Sequence, residues 1–123
     1  MARILALTPD LFFSTRISST LKYADHAVRI VDSDDSEVID EALFALNPAL
    51  VILDIGAAGA WDWQKILTYL REASPDTPVL CYGSHMDVDA TQSANALGAV
   101  RVVARSEFVN NMGNLVERYK REE

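Results

Sequence analysis

The chain has 123 residues, of which half are hydrophobic and 24% are charged, and its formal net charge is −7. This size and composition fit one globular domain, spanning residues 1–123, with a proper hydrophobic core. The acidic balance argues against direct binding to nucleic acid or to an anionic membrane surface, because both require a basic patch.

The only cysteine, Cys81, lies inside the apolar run Val79–Tyr82. We therefore expect a buried thiol and no disulfide within the chain, as is typical of the reducing cytosol. No apolar run approaches the length of a membrane span, and no signal-like segment follows Met1. These features predict a cytoplasmic location.

Short apolar runs bounded by Pro, Gly, Asn or Asp alternate along the chain with segments that carry apolar residues at helical spacing. The apolar runs predict five strands, at Arg3–Thr8, His26–Val31, Leu50–Asp54, Val79–Tyr82 and Val100–Ala104. The periodic segments predict five helices, at Leu11–Ala24, Ser36–Leu46, Trp61–Glu72, Asp87–Leu97 and from an N-cap at Ser106 through Tyr119. We expect Gly98 to end the fourth helix as a C-cap.

The third strand is apolar at each position until it reaches Asp54, as in a strand that is buried on both faces of a parallel sheet. Alternating strands and helices with short connections predict an α/β fold with helices on both faces of the sheet. The common solution for five strands is the flavodoxin-like, doubly wound order 2-1-3-4-5. Because the ends of strands one and three adjoin in that order, Asp10 and Asp54 should meet. An Asp after a strand also serves simply to cap the next turn or helix.

At this point the sequence resembles the receiver domain of response regulators, the phospho-acceptor module of two-component signalling, over nearly its whole length. Three segments carry the resemblance: Ala45–Ile55, Ser74–Leu80 and Ala96–Ala99, the last leading into the fifth strand. The resemblance implies an aspartyl phosphate on Asp54, with Mg²⁺ bridging carboxylates and phosphoryl oxygens.

The resemblance also assigns roles to other residues. Asp10 would be the surviving metal-binding acid, and the backbone carbonyl of Gly56 would complete the metal ligands with Asp54. Ser84, next to Gly83 at the position of the family's Ser or Thr, and Arg105, at the position of the family's lysine, would contact the phosphoryl group. Arginine carries the same charge as lysine but differs in reach and hydration.

Several positions depart from the family's pattern. The family's pair of acids after the first strand falls on Thr8 and Pro9, or on Pro9 and Asp10 if the register slides by one residue. The switch aromatic of the fifth strand falls on Val102. Two hypotheses therefore stay open: a working receiver phosphorylated on Asp54, and a pseudo-receiver that acts as an adaptor or oligomerisation module without phosphorylation.

Both hypotheses imply signalling through a protein partner. A working receiver would take its phosphoryl group from a histidine kinase or a phosphotransfer protein and act on a downstream protein target. The usual output face is formed by the fourth helix, fifth strand and fifth helix, here including Arg101, Asn110 and Asn111. The same face is the expected surface for a homodimer. With no effector domain evident, output is expected through docking, or else the chain is part of a longer protein.

The remaining candidate residues are weaker. His85 follows the fourth strand and is expected to be an exposed loop histidine, and His26 is expected to be partly exposed. Of Trp61 and Trp63, one should face the core, with Trp63 on the inward face of its helix, and the other should be available to a partner. No glycine-rich phosphate loop, nucleophile elbow or metal-ligand spacing is present. We therefore predict that the chain is not an enzyme.

Overall fold

A computed structural model describes residues 1–56, 61–84 and 86–122. Its five strands form one sheet in the order β2-β1-β3-β4-β5, with all neighbouring pairs parallel. The strands are β1 (Arg3–Leu7), β2 (Ala27–Val31), β3 (Leu50–Asp54), β4 (Val79–Gly83) and β5 (Arg101–Ala104). The predicted doubly wound α/β fold and its strand order are confirmed.

The helices alternate with the strands as predicted. They are α1 (Leu11–Tyr23), α2 (Ser36–Leu46), α3 (Trp63–Ala73), α4 (Val88–Ala96) and α5 (Arg105–Tyr119). Aspartate side chains cap the first four helices by accepting a hydrogen bond from a backbone N–H of the first turn; they are Asp10, Asp35, Asp62 and Asp87. After α4, Gly98 has a φ of +101°, which agrees with the predicted glycine at the helix end.

Two predicted helix starts are wrong. We expected α3 to begin at Trp61, but Asp62 caps it and the helix begins at Trp63. We expected Ser106 to cap α5, but the helix begins at Arg105 directly after β5, and no side chain caps it. The consequence is that Arg105 lies in the first turn of α5, at the edge of the sheet where the strands end.

The sheet separates two apolar clusters, one on each face. The face covered by α1 and α5 packs Phe13, Ile17, Ile52, Tyr82 and Phe108. The other face packs side chains of α2, α3 and α4 against the sheet. Since both faces are covered, every residue of β3 and β4 is buried, as the uninterrupted apolar run of β3 predicted. No helix among the described residues is long and apolar enough to cross a membrane.

Single-residue expectations had mixed outcomes. Cys81 is buried and free, as predicted, and burial raises the pKa of its thiol from 9.0 to about 12. His26 was expected to be partly exposed but is buried, and both ring nitrogens have partners: Nδ1 accepts a 3.0 Å hydrogen bond from the backbone N–H of Ala2, and Nε2 lies 3.2 Å from Oε1 of Glu117 on α5. The small residues at 56–59 predict a loop, of which all but Gly56 lies outside the described residues, as does His85, which was expected to be exposed.

Candidate functional site

The candidate site is built around Asp54, the last residue of β3, whose side chain is 0% exposed. The hydroxyl of Thr8, just past the end of β1, donates a 2.8 Å hydrogen bond to Asp54 Oδ2. The backbone N–H of Gly56 donates a 2.8 Å hydrogen bond to Asp54 Oδ1. Both carboxylate oxygens therefore accept from the protein itself, which offsets the cost of burying the charge.

Arg105 connects Asp54 to the second acid, Asp10. Its NH1 lies 3.4 Å from Asp10 Oδ2, and its NH2 lies 3.8 Å from Asp54 Oδ2. The other oxygen of Asp10, Oδ1, accepts from the backbone N–H of Phe13 and caps α1. Asp10 and Asp54 therefore lie at the same site, as predicted, and the guanidinium of Arg105 contacts both. The three side chains together carry one net negative charge.

Aromatic rings hold the guanidinium in place. The Cζ atom of Arg105 lies 4.8 Å from the centroid of the Phe13 ring and 5.9 Å from that of Tyr82. Tyr82 in turn stacks on Phe108 with a centroid distance of 4.7 Å and an interplanar angle of 7°. Attraction between a cation and a ring face favours this position of Arg105 over an extended one in water.

The Tyr82 hydroxyl is buried and has no hydrogen-bond partner among the described residues. Burial raises the pKa of this phenol, and the negative charge of Asp54 raises it further. The register of β3 against β4 pairs Tyr82 with Asp54, which brings the carboxylate close enough to raise the pKa of the phenol. The group is therefore a neutral hydroxyl beside the acidic site.

Ser84 does not join this cluster in the structure. It is exposed, and its hydroxyl accepts a 3.2 Å hydrogen bond from the backbone N–H of Met86. Gly83, the position of the family's Ser or Thr, has no room for a side chain, because an added Cβ would lie 2.9 Å from Ile55 Cγ1. Ser84 instead lines a shallow depression of about 480 Å³ together with Arg105, Ser106 and Asn110.

Trp61, which lies two residues before α3, contributes a hydrogen bond to the site. Its indole N–H donates a 3.1 Å hydrogen bond to the backbone carbonyl of Asp54, and the side chain is 8% exposed. The expectation that Trp61 is available to a partner is therefore wrong, whereas Trp63 is half-buried on the inward face of α3. A hydrogen bond to the residue that carries the acid makes Trp61 a natural reporter of the site.

The residues as arranged do not fit a magnesium site. Mg²⁺ requires oxygen ligands in near-octahedral geometry and is usually bound through one or two carboxylates. Here each oxygen of Asp54 and Asp10 already has a protein donor, so a metal would have to share these oxygens with the donors or displace them. The Arg105 guanidinium would also repel a dication. Within residues 1–56, 61–84 and 86–122, no group of three or more His, Cys, Asp or Glu side chains could hold a metal.

Of the five residues that the sequence singled out, the structure brings Asp10, Asp54, Gly56 and Arg105 together and leaves the Ser84 side chain outside. Sequence reasoning did not foresee the donor role of Thr8, the ring contacts of Phe13 and Tyr82, or the contact of Trp61. A signal for Thr8 was present, since in one of the two registers that the resemblance allows, Thr8 falls on a position where the family has an acid. Tyr82 could have been found from the register of β4 against β3.

No family model matches the chain, and no curated protein is similar to it in sequence. Solved structures do match. NtrX from Brucella abortus superposes with a TM-score of 0.82 and 23% identity over 96% of this chain, which spans only 26% of the NtrX chain. The separate receiver domain of the same protein matches at a TM-score of 0.81 and 22% identity, covering 94% of this chain and 96% of that one.

Two further structures agree. A signal receiver domain from Bermanella marisrubri has a TM-score of 0.81 and 21% identity, covering 95% of this chain and 96% of that one. A response regulator from Burkholderia pseudomallei, solved with a phosphorylated aspartic acid, calcium and citrate, has a TM-score of 0.77 and 16% identity, covering 94% of this chain and 65% of that one. The strand order, the position of Asp54 and these superpositions together establish that the chain has the fold of response-regulator receiver domains.

Proposed function

We propose that this chain is a receiver-like signalling domain that acts through protein–protein contacts without phosphorylation of Asp54. The observation that carries the proposal is the state of Asp54: the acid is fully buried, and both its oxygens accept hydrogen bonds from Thr8 and Gly56. Charge neutralisation at the acceptor is the main catalytic contribution in phosphoryl transfer, and the residues here do not fit the metal that would supply it.

The alternative is a working receiver, in which Asp54 accepts a phosphoryl group from a histidine kinase or phosphotransfer protein. Its support is positional, because Asp54 lies at the carboxyl end of the third strand, where ligands bind in parallel sheets. In that case Arg105 would leave Asp10 and Asp54 to contact the phosphoryl oxygens. The proposal and the alternative share a fold and differ in whether Asp54 reacts.

Phosphotransfer from acetyl phosphate in millimolar Mg²⁺, followed by intact-protein mass spectrometry, separates the two. We expect no phosphorylated species from the wild-type chain under conditions that phosphorylate a working receiver domain in a parallel reaction. A gain in mass of one phosphoryl group that disappears in Asp54→Asn would contradict the proposal and establish the alternative.

For the partner surface we propose the face formed by α4, β5 and α5. Val100 and Arg101 are exposed there, and Asn110 and Asn111 are exposed on α5. Asn111 has non-helical backbone angles (φ −127°, ψ 22°) and marks a kink in α5. The proposal expects Arg101→Glu to abolish recovery of a cross-linked partner from cells that express this chain, while Asp54→Asn leaves that recovery unchanged. Loss of the partner in Asp54→Asn alone would count against it.

A further inference from the structure

We propose that the Arg105 guanidinium is the resident cation of this site, taking the electrostatic place of a bound divalent metal. The inference deepens the proposed function, since it concerns the same acids, but it is tested with magnesium alone. It can therefore fail while contact-based signalling stands.

The guanidinium contacts both acids of the described site at once. It lies 3.4 Å from an oxygen of Asp10 and 3.8 Å from an oxygen of Asp54. A magnesium ion shared by two acids would neutralise both with its two charges, whereas the guanidinium contacts both acids but compensates one of the two negative charges. The second charge is unnecessary here, because the residue beside Asp54 is Thr8. It donates a hydroxyl hydrogen bond to Asp54 and adds no third negative charge that a metal would have to compensate.

The position of Arg105 is set by more than its charge. The guanidinium lies over the Phe13 ring at 4.8 Å, and this ring packs against Tyr82 at a centroid distance of 4.8 Å. Phe13 and Tyr82 are both buried, so the rings near the guanidinium belong to the hydrophobic core. A planar, weakly hydrated cation suits a ring surface, whereas the compact and strongly hydrated ammonium of lysine does not. Arginine is therefore the residue that this cluster requires.

Two substitutions should convert the site into one that needs a metal. Thr8→Asp places a second buried carboxylate beside Asp54 and removes the donor at Oδ2, while Arg105→Lys withdraws the planar cation from the rings. The double variant then has three acids compensated only by a flexible ammonium group that the rings no longer hold, which favours a divalent cation. Arg105→Ala alone is a milder route to the same end, because this side chain is 42% exposed and contributes little to the core.

The test is a magnesium titration followed by amide and indole NMR, with sodium chloride at matched ionic strength as reference. The reporters are the Gly56 amide, which donates to Asp54 Oδ1, and the Trp61 indole, which donates to the Asp54 carbonyl. We expect no saturable shift of either signal in the wild type at millimolar Mg²⁺. We expect saturable shifts of both in Thr8→Asp/Arg105→Lys and, more weakly, in Arg105→Ala.

Arg101→Ala is the matched control, since it removes the same charge from the exposed end of β5, where Arg101 contacts Tyr119 instead of the acids. It should behave as the wild type. A saturable magnesium shift in the wild type would overturn the inference, as would no response in Arg105→Ala with its spectrum otherwise well dispersed. If the double variant does not fold, the comparison of Arg105→Ala with Arg101→Ala decides by itself.

Discussion

The hydroxyl of Thr8 donates a 2.8 Å hydrogen bond to Oδ2 of Asp54, although the two residues are separated by 46 positions in the chain. The pairing of β1 with β3 makes this contact, because it places the carboxyl ends of both strands side by side. One oxygen of the acid at the centre of the fold thus accepts a hydrogen bond from a neutral side chain. The proposed function depends on this contact.

Replacing Thr8 by Val should destabilise the protein. Valine keeps the shape of the buried side chain but removes the donor, leaving a buried carboxylate oxygen with less compensation, a loss of about 1 to 3 kcal/mol in the free energy of unfolding. Urea denaturation followed by circular dichroism measures it. Thr15→Val is the control, since the Thr15 hydroxyl is exposed and bonds only to the Leu11 carbonyl. Equal effects of the two changes would show that Thr8 does not support Asp54.

Two glycine-to-alanine changes should have opposite effects. At Gly83 an added Cβ would lie 2.9 Å from Ile55 Cγ1 and 3.3 Å from the backbone N of Gly56, so overpacking should cost about 1 to 3 kcal/mol. At Gly113, inside α5, nothing lies within 4 Å, so the gain in helix propensity should stabilise the protein by about 0.5 to 1 kcal/mol. Thermal unfolding of both variants checks this. A neutral Gly83→Ala would indicate that Ile55 moves aside freely.

The protein should lose stability in alkaline solution. Burial raises the pKa of the Cys81 thiol from 9.0 to about 12, so the unfolded chain releases this proton at lower pH than the folded one. The contribution of this thiol to the free energy of unfolding is complete below pH 9 and is lost as the pH rises from there towards 12. Denaturation midpoints measured at pH 7, 9 and 10.5 should fall, and Cys81→Ala should lessen the fall. An unchanged slope in Cys81→Ala would exclude the thiol as its source.

The two tryptophans should differ in hydrogen exchange. The indole N–H of Trp61 is buried and bonded to the Asp54 carbonyl, whereas Trp63 is half-buried at the first turn of α3. Exchange of the Trp61 indole therefore requires the site to open, and it should be the slower of the two by NMR in deuterium oxide. Trp61→Phe assigns the signals. Faster exchange at Trp61 would show that the site opens more readily than the packing around Asp54 implies.

The fold could be predicted from the sequence because the apolar pattern and the turn residues of each segment indicate the same strand or helix that the structure has. The apolar run before Asp54 required a strand covered on both faces, and Asn47-Pro48 and Ser74-Pro75 marked the turns before β3 and β4. The predicted helix starts missed Trp63 and Arg105 by one or two residues. The first residue of a helix depends on local backbone angles, and neighbouring residues of the sequence can adopt the same angles.

The site was only partly predictable. Topology alone brought Asp10 and Asp54 together, and the family resemblance placed Arg105 near them. The sequence could not show that Arg105 bridges the acids, because its position depends on the rings of Phe13 and Tyr82, which come from α1 and β4. Trp61 was assigned outward for a similar reason, since only the folded backbone places a carbonyl acceptor within its reach.

A titration with beryllium fluoride and magnesium, a pair that imitates an aspartyl phosphate, followed by amide NMR, tests directly whether Asp54 serves as a phospho-acceptor. We expect the signals of the Gly56 amide, the Trp61 indole and α5 to stay in place, because Thr8, Gly56 and Arg105 already interact with the oxygens of Asp54. Saturable shifts of these signals that vanish in Asp54→Asn would contradict the account and identify a working phospho-acceptor.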